Sequence, residues 1–133
     1  MEFAIVATLL MLLVFGVIEF GLWIAQYESM SSAAREGARV AAVRGDANGD
    51  NMYSSADVTY AVTQAAAPYP VSGAVSITNK NGVAMICNGE TYGQLVYVKW
   101  TQTFANNRLF FRLPLLPASR EIKGVFRCES SGP

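Results

Sequence analysis

The chain has 133 residues, the length of one ordinary domain, yet 52% of them are hydrophobic and the mean hydropathy is +0.26, high for a soluble domain. Ten Lys and Arg balance ten Asp and Glu, so no net field favours nucleic acid, which argues against such a partner. Histidine is absent, which removes the usual zinc and haem ligand and every Ser-His-Asp or Cys-His arrangement and argues against an enzyme.

The apolar excess sits at the N-terminus. From Phe3 to Ile18 no residue is charged, and past Glu19 the apolar character resumes through Ile24 and Ala25. About 23 residues at 1.5 Å each cover roughly 34 Å, enough to cross a bilayer core of about 30 Å. Eleven Phe, Ile, Leu and Val residues in that run outweigh the roughly +3 kcal/mol of one carboxylate, so Glu19 does not forbid insertion. Trp23 and Tyr27 follow as an interfacial aromatic pair. The run is longer than a signal-peptide core and has no Lys or Arg before it; a basic leader removed from a precursor would supply the missing cytoplasmic charge.

Residues 26–43 contain no proline, so the helix is expected to continue to Val43-Arg44, with Gly45 as its C-cap. One helix of about forty residues, some 60 Å long, results. Ala34, Ala38 and Ala42 recur at i+4, with Gly37 and Ala41 beside them, and small residues at this spacing let another backbone approach closely. Glu36 and Arg39 form an i,i+3 pair, and Arg35 shares the polar face with Arg39.

The polar stretch that follows has calcium-loop spacing, as in an EF-hand or dockerin loop. Oxygens would come from Asp46, Asn48, Asp50, the Met52 carbonyl, Ser54 and Asp57; Asn51 stands where glycine is expected, and Asp57 where glutamate is usual. The other reading of these residues is an ordinary polar turn that decorates the next helix's N-terminus. No cofactor is required, and Ca2+ is the one the sequence admits.

DVTYAVTQAAAPY reads as a short amphipathic helix capped by Ser54 or Ser55 and closed by Pro68 and Pro70. VSGAVSIT then alternates, Asn79–Gly82 is a hairpin turn before VAMIC, and LVYVKWTQTF sets Val96, Val98, Trp100 and Phe104 on one side. REIKGVFRC supplies a last strand. The expected fold is α+β: residues 1–45 form a long N-terminal transmembrane helix, packed by its second half on a small antiparallel head of about four strands over residues 46–133. Cys87 and Cys128 are too few and too far apart for a redox CxxC or a four-cysteine metal site. In a head outside the membrane they are expected to form one disulfide between the second and last strands. Tyr92, Phe110 and Phe111 suit either head-to-head contacts or the core, the core being the expectation for most.

The N-terminal third resembles the TadE-like family of type IV pilin-like proteins and pseudopilins. The resemblance is carried by Glu2-Phe3 opening the apolar run, Glu19-Phe20-Gly21 near its end, and Ala34-Arg35-Glu36-Gly37-Ala38-Arg39; Pro114-Leu115-Leu116-Pro117 also looks like the family's ending. It implies a precursor cut by a prepilin peptidase and held in the inner membrane by its apolar helix. An inner-membrane platform then assembles it with copies of itself into an extracellular filament whose core is a bundle of these helices. Glu2 would pair with the N-terminal ammonium of an adjacent subunit, since a carboxylate this near the start of a buried helix needs a positive partner. Glu19 would meet Arg35 or Arg39 of a staggered neighbour. One departure is that the family places its glutamate near the fifth mature position, whereas here it is second. The alternatives are a minor pseudopilin that primes or tips a filament, and a single-span sensor or adhesin head that stays in the bilayer.

Overall fold

The computed structural model describes residues 2–44, 49, 52–87, 91–104 and 117–129. One helix, α1 (Glu2–Val43), runs without interruption through 42 residues, as a proline-free chain rich in Ala and Leu favours. It ends where Arg44 takes a left-handed conformation, φ 54°, one position before the expected Gly45, which lies outside the described residues. Two of its last carbonyls, which no helical N–H can reach, are capped by the head: the Tyr53 hydroxyl donates to Ala41 O at 3.1 Å and the Glu129 N–H to Ala42 O at 3.1 Å.

Helix α2 (Ser55–Ala66) begins at a capping box. Ser54 Oγ accepts from the Ala56 N–H, and the Ser54 N–H donates to Asp57 Oδ2 at 2.7 Å. Val58, Ala61, Val62 and Ala66 are buried along one face, the spacing of a helix with one apolar stripe. At its C-terminal end Ser29 Oγ donates to Ala66 O at 3.2 Å, whereas Tyr53, just before α2, is bonded to Ala41. Helix α2 therefore lies antiparallel to the second half of α1.

Three antiparallel strands, β1 (Ser76–Thr78), β2 (Leu95–Thr103) and β3 (Ser119–Arg127), form a sheet in the order β1-β2-β3. Strand β2 is central, with Ile77 opposite Val98 and Val98 opposite Gly124. Its alternation is as expected: Val96, Val98, Trp100 and Phe104 are buried. The Asn79–Gly82 turn also forms, with Asn79 Oδ1 accepting from the Asn81 and Val83 N–H groups and Gly82 at φ 79°. The expected strand VAMIC shrinks to a single bridge, Thr78 to Ala84. Val83 and Ile86 stay exposed, so pairing there would bury little apolar surface.

Strand β3 runs alongside α1 in the same direction. Arg120 meets Tyr27, Gly124 meets Ala34 and Glu129 meets Ala42. The core lies where α1, α2 and the sheet converge, around Met30, Ala34, Ala38, Val58, Val62, Val98 and Ile122.

Candidate functional site

The feature that sets this chain apart is the division of α1 into two environments. Its first half is apolar on all sides and uncovered: Phe3 is 85% exposed, Leu9 69%, Leu12 70% and Val17 64%. The segment is long and apolar enough to cross a membrane, and almost none of its apolar window is buried in the chain. A helix suits that environment because it satisfies its own backbone hydrogen bonds.

In the second half, Ala34, Ala38, Ala41 and Ala42 are fully buried. The backbone that their small side chains admit is the chain's own. Gly124 of β3 lies against the Ala34 carbonyl so closely that a Cβ there would overlap it. At Gly37 an added Cβ would meet Val62 of α2 and also approach Val98 of β2 at 3.4 Å. The small-residue stripe thus seats the head on α1.

The charged residues of α1 divide as sharply. Glu2 opens the helix. Glu19 is enclosed by its own chain, 7% exposed between Ile18 at 45% and Phe20 at 50%, which keeps its carboxyl out of contact with lipid. Arg39 is engaged with Glu36 through Nη2–Oε1 at 2.6 Å and Nε–Oε2 at 3.0 Å. This hydrogen-bonded pair holds the Glu36 carboxyl below the usual carboxylate range. Arg35 is exposed beside them.

Of the proposed calcium ligands, Asp46, Asn48 and Asp50 lie outside the described residues, as do Phe110 and Phe111. Met52 is exposed, while Ser54 and Asp57 cap α2, with the Asp57 side chain fully buried. Among the described residues no three His, Cys, Asp or Glu side chains gather into a metal-binding group. Cys87 and Cys128 are joined in a disulfide, Cα–Cα 5.6 Å, and it ties the segment after the β-bridge to the end of β3. Tyr92 is 65% exposed and so does not belong to the core.

Two arrangements were not legible in the sequence. Gln102 occupies the buried face of β2, where alternation predicts an apolar residue. Its Oε1 accepts from Trp100 Nε1 at 3.0 Å and from the Ser72 N–H at 3.1 Å, and its Nε2 donates to Pro70 O at 3.0 Å. The second lies at the junction of the two halves of α1, where Trp23 and Tyr27 stack with centroids 5.6 Å apart. Phe104 tilts against Trp23 at 5.7 Å, and the Arg120 guanidinium carbon lies 5.5 Å from the Tyr27 ring centroid.

Residues 1–39 match the family model described as TadE-like protein. That stretch covers the whole exposed half of α1 and the first part of the half that carries the head. No curated protein and no solved structure matches the chain.

Proposed function

We propose that this chain is a structural subunit of an extracellular type IV pilus-like filament of the Tad type. Its α1 is the membrane anchor before assembly and the packing element of the filament core afterwards. The observation that carries this reading is the uncovered apolar half of a helix whose other half is rigidly built into a head, together with the TadE-like match over that helix. Such a half-helix has two stable surroundings, lipid or the same helices of other copies. Because lipid is as apolar as the side chains, moving from one to the other gains little from burial. Extraction therefore needs work from an assembly platform, and maturation needs a prepilin peptidase. Nothing in this role requires a catalytic residue.

The test is electron microscopy of material sheared from the cell surface, with mass spectrometry of its main band. Filaments built mainly of this chain are the expected result. Filaments holding only traces of it would assign it to a minor, priming or tip position. A chain found wholly in the membrane fraction with an uncleaved N-terminus would overturn the filament reading in favour of an anchored receptor.

A further inference from the structure

Helix α1 carries its own measure of where the bilayer ends. From Phe3 to Trp23 it advances roughly 30 Å at 1.5 Å per residue, about the thickness of a hydrocarbon core. At that same level the head covers it, Phe104 lying against Trp23, and one turn deeper Glu19 is already enclosed at 7% exposure. The Trp23–Tyr27 stack, Phe104 and Arg120 therefore lie at headgroup depth whenever α1 spans a membrane. Trp and Tyr favour that depth, because their rings are apolar and their tips polar.

We propose that this cluster is a lipid-headgroup site in which Arg120, seated on Tyr27, binds the phosphate of an anionic phospholipid in the leaflet beneath the head. The inference rests on the membrane-anchored stage of the function proposed above and gives that stage a specific contact. Three observations support it. A contact with the tyrosine ring uses none of the five N–H donors of the guanidinium, whose planar fork matches phosphate oxygens. No carboxylate pairs with Arg120 among the described residues, where the single ion pair is Arg39–Glu36. The neighbouring acids are also turned elsewhere: Glu121 alternates to the opposite face of β3, and Glu28 is one residue from Tyr27, about 100° around the helix. Bound in this way, a lipid would hold the head down on the bilayer and restrict the tilt of α1, since the aromatic stack joins the headgroup contact to both the helix and the sheet.

Electron paramagnetic resonance of the full chain in phosphatidylcholine vesicles tests this. Trace chain-labelled phosphatidylglycerol or phosphatidylcholine serves as the probe, and the motionally restricted fraction gives their relative association. Phosphatidylglycerol is expected to be favoured about five-fold, the increment of one basic residue at an anionic surface. Arg120→Gln should abolish the preference, and Tyr27→Leu should reduce it. Lys123→Gln, on the outer face of the same strand, should leave it unchanged. Equal selectivity in the parent chain and Arg120→Gln would overturn the proposal. So would loss of selectivity in 20 mM inorganic phosphate at constant ionic strength, because the site would then be one for free anions. If neither probe shows a restricted component, the chain has not inserted and the membrane-anchored reading itself has failed; insertion without selectivity refutes the lipid site alone.

Discussion

Replacing Gly124 with alanine opposes two physical expectations at one atom. By strand propensity alone the change should help, because glycine inside a regular element is destabilising by about 0.5–1 kcal/mol relative to alanine. The packing says the reverse. The new methyl would lie against the Ala34 carbonyl carbon and oxygen and against the Arg35 amide nitrogen, the last at 2.8 Å. All are nearer than the ordinary 3.5–4.0 Å of a carbon contact, so β3 must withdraw from α1 by roughly 1.5 Å. These neighbours are helix backbone and no rotamer change relieves them, which puts the cost at the upper end of the overpacking range, about 3 kcal/mol. Net of propensity, about 2 kcal/mol of stability is lost, equivalent to a fall in Tm of about 10 °C for a head of this size. Thermal unfolding in detergent, followed by near-ultraviolet circular dichroism of the buried Trp100, measures it. Two controls sharpen the result. Ala34→Gly should not rescue Gly124→Ala, because the collision is with backbone, and Gly21→Ala, with nothing within 4 Å of the added carbon, should not lower Tm. A Gly124→Ala head as stable as the parent would refute the close seating of β3 on α1.

Gln102→Leu would strand the Trp100 indole N–H and the Pro70 carbonyl, and should lower stability by about 2 kcal/mol, read as a shift in the urea midpoint with altered Trp fluorescence. Reducing the Cys87–Cys128 bond opens a loop with a sequence separation of 41, for which chain entropy gives a loss of about 4 kcal/mol; denaturation with and without reductant checks this. Burial, and next the Asp57 carboxylate, push the Tyr53 phenol above its ordinary value. The folded state therefore holds that proton more tightly than the unfolded chain, and the contribution is full below about pH 10. It falls away as pH rises through the folded-state value. Tyr53→Phe should cost about 1 kcal/mol at pH 7 through the lost Ala41 cap and flatten the alkaline limb of a stability–pH curve.

How much was legible followed from how local each cause is. The alternation of β2, the Asn79–Gly82 turn and the start of α2 at Ser54 depend on residues within a few positions of one another, and the sequence predicts all three. The end of α1 was misplaced by one residue, because Arg44 took the left-handed position that glycine usually fills. The strand after the hairpin was overestimated because Val83 and Ile86 have the right residue type but no surface to pack against. Gln102 and Gly124 were beyond reach. One interrupts an apolar alternation for partners some thirty residues away, and the other matters only because a helix crosses it. The same holds for the pairing of Arg120 with Tyr27. The small-residue stripe of α1 was visible in the sequence, but spacing alone could not say that its partner is β3 of the same chain.

The parallel course of β3 along α1 determines how the molecule bears a load. A pull on the uncovered half of α1 is directed along the helix axis, and contacts from Tyr27–Arg120 through Ala34–Gly124 to Ala42–Glu129 lie side by side along that line. They are sheared together and do not peel apart in sequence, while the disulfide tethers the far end of β3. The head should therefore yield to axial tension only as a unit.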